Sequence, residues 1–297
     1  MRKAAGKSPL VHNRVAVVTG AATGIGRAHA HALAAAGART VVNDIDGRVH
    51  DVVEEIGEAG GTAIAAAGDI ADWDFAAHLV TKAVSTFGGL DVLVNNAGMV
   101  CDRMIVSMAE EEWDRVLRVD LKGHFAPLRH AAAYWRERSK AGEQVRARVV
   151  NTTSGAGLQG SVGQANYSAA KAGVASLTQV AAAELARYGV TVNAIAPAAR
   201  TAMTATVFAD DMKAPDTGFD AMDPGNVTPL VVWLAGEESA GVTGRVFEVW
   251  GDEIAVAQPW LHGTPARKGG RWDPAELGPV VTRIVEEAPA PEAVYGG

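Results

Sequence analysis

The chain has 297 residues, 48% of them hydrophobic and 21% charged, enough for one large α/β domain and too few for two substantial domains with a linker. A formal charge of -7 argues against nucleic acid or an anionic membrane as a main partner, and no segment is long and apolar enough to span a bilayer. The single cysteine, Cys101, excludes an intramolecular disulfide, and MRKAAGKSPLVHNR lacks the apolar region of a signal peptide, so a cytoplasmic location is expected.

Short β-branched runs alternate with Ala-rich helical stretches. Strands are expected over 15–19, 40–43, 63–66, 92–95, 148–152, 190–195 and 246–249. Helices are expected near 25–36, 49–59, 74–87, 110–133, 167–187 and 229–235. Apolar strands separated by helices of this length make βαβ units, hence an α/β domain built on a doubly wound, seven-stranded parallel sheet with helices on both faces. Residues 1–12 read as an N-terminal arm, 13–252 as the domain, 198–226 as an irregular loop inside it, and 253–297 as a C-terminal extension. That extension carries Trp260, Trp272 and an apolar run from Leu277, so it is expected to dock rather than float.

The first strand leads into Gly20-Ala-Ala-Thr-Gly24-Ile-Gly26 and then a helix. Glycines at such a turn let the backbone approach a pyrophosphate, and the helix N-terminus adds oriented N–H groups. The second strand ends on Asp44, followed by Ile45, roughly 20 residues beyond the glycines, where a carboxylate binds ribose hydroxyls and repels a 2′-phosphate. This favours NAD over NADP, although Arg27 and Arg48 lie close in sequence. Asp44 is equally suited to cap the next helix.

Further on, Tyr167 and Lys171 stand four apart in a helical stretch and therefore share a face. An adjacent ammonium favours phenolate over phenol, which makes Tyr167 a candidate general acid/base, with Ser154 as a hydroxyl partner. By itself the Tyr-x-x-x-Lys spacing is common. His124 and His130 have no third ligand at a useful spacing, so no metal site is expected. Cys101 has no histidine partner and reads as a small buried hydrophobe.

Taken together, the glycine turn, Asp69-Ile70, Asn95-Asn-Ala-Gly98, Ser154, Tyr167-x-x-x-Lys171 and Val192-Asn-Ala-Ile-Ala-Pro197 resemble the classical short-chain dehydrogenases/reductases, over roughly residues 13 to 250. The resemblance implies a single-domain Rossmann fold, a nicotinamide cofactor and tyrosine-centred hydride transfer. It places Gly20, Thr23, Gly24, Ile25 and Gly26 at the pyrophosphate, and Asp69 and Ile70 at the adenine. Asn96, Ala97 and Gly98 would run along the ribose, Lys171 would hold the nicotinamide ribose, and Pro197, Ala199 and Thr201 would flank the nicotinamide. Ser154 would bond the substrate oxygen. Val-Val-Asn-Asp44, Asp102-Arg103, Trp113-Asp114 and Gly163-Gln-Ala-Asn-Tyr167 are similar to the dehydrogenase module of peroxisomal multifunctional β-oxidation enzymes. That module oxidises (3R)-3-hydroxyacyl-CoA and is related to 17β-hydroxysteroid dehydrogenases. One departure stands out: Asp120 occupies a position where many members of the family have a catalytic asparagine.

The expectation is an NAD-dependent enzyme interconverting a secondary alcohol and a ketone. The leading substrate is a 3-hydroxyacyl-CoA, with a hydroxysteroid as the alternative and a non-catalytic NAD sensor as the reading from a different class. The resemblance further implies a homotetramer. The extension is expected to cross a subunit interface and wall the substrate pocket.

Overall fold

The computed structural model of the chain describes residues 10–201, 213–258 and 260–296. Residues 202–212, the middle of the expected substrate loop, lie outside that description, as do the first nine positions of the expected arm. Val11 also belonged to that arm by sequence, yet it is fully buried in the core.

In chain order the elements are β1 (Val15–Val18), α1 (Gly24–Ala35), β2 (Arg39–Asp44), α2 (Val49–Glu58), β3 (Thr62–Ala67), α3 (Trp73–Phe87) and β4 (Val92–Asn95). There follow α4 (Glu110–Val116), α5 (Gly123–Lys140), β5 (Ala147–Thr152), α6 (Gly155–Gln159), α7 (Ala165–Leu185) and β6 (Val190–Ala198). The last are α8 (Thr228–Ala235), β7 (Val246–Trp250), β8 (Glu253–Val256) and α9 (Leu277–Glu286). The sheet order is β3-β2-β1-β4-β5-β6-β7-β8. The direction of winding reverses between β1 and β4, which opens a crevice at the carboxyl ends of those strands.

Alternation along each strand divides the core. Ala16 and Val18 face the cluster that contains residues of α1, α2 and α8, whereas Val15 and Val17 face the cluster formed with α3, α5 and α7. No helix among the described residues is long and apolar enough to cross a membrane.

Two differences from expectation stand out. The sheet has eight strands, not seven: β8 pairs antiparallel with β7, from Phe247↔Val256 to Trp250↔Glu253. All four of its residues are exposed, so the strand leaves no burial pattern, and the expected boundary at 253 separated it from the sheet it belongs to. Second, the helix expected over 110–133 is interrupted by a wide, π-type turn at Leu117–Lys122 that carries Asp120 into the interior. Pro127 lies beyond this turn, inside α5, where its ring removes the N–H that would return to Gly123. The extension docks at its end, as its apolar content predicts: Val162 N donates to Tyr295 O (2.9 Å) and Tyr295 N donates to Gly160 O (3.2 Å). Its helix α9 buries no residue.

Helix α7 sets the geometry of everything described below. Ala170, Lys171, Val174, Thr178, Ala181, Ala182 and Leu185 form its buried face. Helix α6 lies so close that a Cβ on Gly157 would come within 2.6 Å of Lys171 backbone carbon, which makes glycine obligatory at that contact.

His29 of α1 is fully buried, and burial lowers its pKa from 6.5 to about 3. The folded state therefore holds it neutral while the unfolded chain protonates below pH 6.5. The associated stability is complete above that value and is lost as pH falls toward about 3, at about 1.4 kcal/mol per unit. Between pH 7.5 and 5 the wild type should lose about 2 kcal/mol more than His29→Leu in urea unfolding. Equal losses in the two proteins would remove His29 from the acid response.

Candidate active site

The turn between β1 and α1 packs against the turn that follows β4. Gly20 has φ +63°, and a Cβ there would lie 2.6 Å from Ala97 Cα. Thr19, which carried no expectation, joins the two turns: its Oγ1 accepts from Asn96 N (3.0 Å) and Ala97 N (3.1 Å). The Asn96 amide answers by donating to Thr19 O (3.1 Å) and Gly20 O (3.0 Å). A Cβ on Gly26 would strike Gly20 O, so that position too admits only glycine. Thr23 is the exposed N-cap of α1 and makes no side-chain cap bond, while Gly24 and Ile25 form the first turn behind it. A Cβ on Gly24 would meet Thr201 Cγ2 at 3.4 Å, placing Thr201 over this turn.

Asp44 closes the groove at the end of β2. Its Oδ2 accepts from Ala22 N (3.0 Å) and its Oδ1 from Asp46 N (3.1 Å), whereas the neighbouring Ile45 is 77% exposed. Arg48 turns to Asp46 (2.6 Å) and, chiefly through that side-chain hydrogen bond, lowers its pKa to about 2; Arg27 pairs with Glu55. Asp69 is engaged by Arg118 (2.6 Å) and by Ala71 N (2.9 Å), and Ile70 is buried behind it. A glycine-lined backbone, an open helix N-terminus and a carboxylate at the end of β2 fit a dinucleotide's pyrophosphate and ribose. On the far side Pro197 pairs with Val249 within the sheet, and Ala199 is buried just beyond it.

The second half of the site is built on α7. Asn166, whose part was not foreseen, is buried; its amide donates to Cys101 O (3.0 Å) and Glu112 O (3.2 Å), and its Oδ1 accepts from Tyr167 N (2.8 Å). These bonds pin the first turn of the helix and with it Tyr167. One turn on, Lys171 is 2% exposed, with Nζ 5.5 Å from the Tyr167 ring centroid, as their spacing predicts. That ammonium donates to Thr152 O (3.0 Å) and stands 3.1 Å from Asp120 Oδ1, while Thr153 Oγ1 donates to Lys171 O (2.6 Å). Asp120 Oδ2 accepts from Met99 N (3.0 Å). Gly98 must lack a side chain because a Cβ would fall 2.7 Å from Asp120 Oδ1 and 3.3 Å from Lys171 Nζ.

Burial pushes the Asp120 carboxyl above its ordinary range, opposed by Lys171 and the Met99 N–H. Ser154 is the N-cap of α6; its Oγ accepts from Ala156 N (3.2 Å), which leaves the hydroxyl proton available to donate. Beneath these groups Asn95 donates to Asn151 Oδ1 (2.9 Å), and Asn151 donates to Thr178 Oγ1 (2.9 Å). His124 is fully buried, with its pKa lowered well below 6.5 by burial first and Lys171 second. His130 lies instead edge-on to Trp73, at 4.7 Å between centroids. Cys101 is only partly buried, contrary to expectation, and Arg115 reaches its Sγ (3.3 Å) from α4.

The sequence model described as short chain dehydrogenase matches residues 14–212. The chain belongs to the short-chain dehydrogenase family. This dehydrogenase is 50% identical over 275 residues to hydroxyacyl-CoA dehydrogenase ChsB1 of Mycobacterium tuberculosis, covering 89% of this chain and 86% of that protein. To peroxisomal multifunctional enzyme type 2 of Mus musculus it is 40% identical over 82% of its length, but it spans only 32% of that larger protein. A crystal structure of a short chain dehydrogenase from Mycobacterium avium superposes with a TM-score of 0.90 at 60% identity, covering 97% of this chain and 100% of that one. The dehydrogenase is thus an oxidoreductase of CH–OH donors, with a small-molecule substrate and a nicotinamide dinucleotide as its cofactor.

The buried ion pair gives a direct test of the site's framework. Asp120→Leu strands the Lys171 ammonium and should cost about 3–5 kcal/mol in urea unfolding. Asp120→Asn keeps an oxygen for Nζ and should cost less than half as much. If neither variant is less stable than wild type, Asp120 is not what holds Lys171.

Proposed function

We propose that this dehydrogenase interconverts a 3-hydroxyacyl-CoA and the corresponding 3-ketoacyl-CoA with NAD. The observation that carries the chemistry is the buried Lys171 ammonium, held by Asp120 and Thr152 O beside the Tyr167 ring. A fixed positive charge favours the phenolate, so Tyr167 takes the proton from the substrate hydroxyl in oxidation and returns it in reduction. Ser154 donates its hydroxyl proton to the substrate oxygen and so orients the reacting carbon. Asp120 holds Lys171 in place through its Oδ1 contact. When bound, the nicotinamide supplies the hydride acceptor. Gly20, Thr23, Gly24, Ile25 and Gly26 would hold the pyrophosphate, Asn96, Ala97 and Gly98 the ribose edge, and Pro197, Ala199 and Thr201 the nicotinamide side. Asp69, Ile70 and Ile45 would border the adenine. The substrate class is supported by the names of two relatives, a hydroxyacyl-CoA dehydrogenase and a peroxisomal multifunctional enzyme.

The choice of NAD rests on Asp44, whose carboxylate closes the end of β2 while Arg48 and Arg27 are turned toward Asp46 and Glu55. A 2′-phosphate at that point would meet a negative charge with both arginines already engaged.

Two measurements test these readings. With 3-hydroxyacyl-CoA substrates, Tyr167→Phe should lower kcat by about 10²–10⁴-fold while NADH binding, followed by fluorescence, changes little. A Phe variant that keeps a tenth of wild-type kcat would rule out Tyr167 as the acid/base. For the cofactor, wild type should prefer NAD to NADP in kcat/KM, and Asp44→Ala should erode that preference through weaker NAD and stronger NADP use. Equal activity of the wild type with both cofactors would overturn the assignment.

A further inference from the structure

The segment joining Ser154 to Tyr167 does not stand alone. It forms α6, passes through 160–163 and enters α7, and the last residues of the chain run beside it. Ser161 and Tyr295 form a parallel bridge, secured by Val162 N to Tyr295 O (2.9 Å) and Tyr295 N to Gly160 O (3.2 Å). Val294 lies 3.5 Å from where a Cβ on Gly160 would sit, and a Cβ on Gly296 would reach Val162 at 3.9 Å.

The Tyr295 side chain turns toward Gly155, the residue immediately after Ser154. A Cβ on Gly155 would fall 2.6 Å from the phenol oxygen and 2.9 Å from a ring carbon. Gly155 does not have a positive φ, and it opens a helix, where alanine is the better former. Its missing side chain is accounted for by the ring rather than by the backbone.

This docking is not a by-product of tail packing. No residue of α9 is fully buried, and residues 286–293 are exposed, so the contact begins afresh at Val294. Tyr295 remains 44% exposed, with Val294 and Val162 each at 46% beside it. Together they make an apolar edge beside Gly155, the residue that follows Ser154. Burial, with Glu248 and Glu292 nearby, raises the phenol pKa, so the ring stays uncharged at neutral pH.

We infer that Tyr295 is a specificity-determining residue, its half-exposed ring forming the wall of the substrate site on the Ser154 side and selecting for a bulky apolar acyl group. The inference rests on the hydroxyacyl-CoA reading for the identity of the substrate, and on the contacts above for the position of the wall.

The test compares full-length wild type, Tyr295→Ala, Tyr295→Phe and Gly155→Ala, using NADH formation from one long or polycyclic 3-hydroxyacyl-CoA and one short straight-chain 3-hydroxyacyl-CoA. Tyr295→Ala should raise KM for the bulky substrate about tenfold, with kcat and the KM for NAD within about twofold and the short substrate little affected. Tyr295→Phe should behave as wild type. Gly155→Ala, which pushes the ring aside, should reproduce the Tyr295→Ala pattern. A bulky-substrate KM unchanged in Tyr295→Ala overturns the inference. So does an equal loss on both substrates, or a loss confined to kcat, because either marks a purely structural tail. If wild type turns over neither thioester, the substrate reading fails instead, and the same size comparison among secondary alcohols that it does oxidise decides the place of Tyr295.

Discussion

The contact between Lys171 and Asp120 is the constraint on which the site depends. Both groups are withdrawn from water, and a buried ammonium is tolerated only where its partners are fixed. Each neighbour reflects that demand. The chain unwinds into a wide turn to bring Asp120 inward, Gly98 gives up its side chain to make room, and Met99 N and Thr152 O complete the coordination.

Around this pair the fold works as two rigid frames meeting at a crevice. One frame is the β1 and β4 turns, tied together by Thr19 and Asn96. The other is α7, pinned by Asn166 to Cys101 and α4 at its start and by Thr153 and Gly157 at Lys171. Because sheet register sets the first frame and helix packing the second, the distance between cofactor groove and Tyr167 is fixed by core contacts rather than by loops.

How much of this was legible beforehand varied with the range of the interaction. The glycine turn, Asp44 and the Tyr167–Lys171 spacing could be read because each encodes its geometry locally, in a strand–turn–helix or in one helical turn. Thr19 and Asn166 could not, since their partners lie 77 and 65 residues away and nothing in a threonine or asparagine names a distant backbone group. Nothing local marked the wide turn at Leu117–Lys122 or the inward placement of Asp120, since Pro127 lies beyond it inside an α-helix. Strand β8 was silent for the opposite reason: with no face to bury, it has no period to detect. The return of Tyr295 to Gly155 likewise depends on a fit that appears only once both ends of the chain share a surface.

Strand β8 also changes what the sheet offers to other molecules. Without it, β7 would present five residues, Val-Phe-Glu-Val-Trp, as an unpaired and largely apolar edge, a ready template for another strand. By folding back for four exposed residues that begin with Glu253, the chain covers β7 and leaves a shorter outer rim with a charge at one end. Ile254 and Val256 stay exposed on that rim, so the apolar edge is shortened and moved outward rather than removed, by a piece of chain that contributes almost nothing to the core.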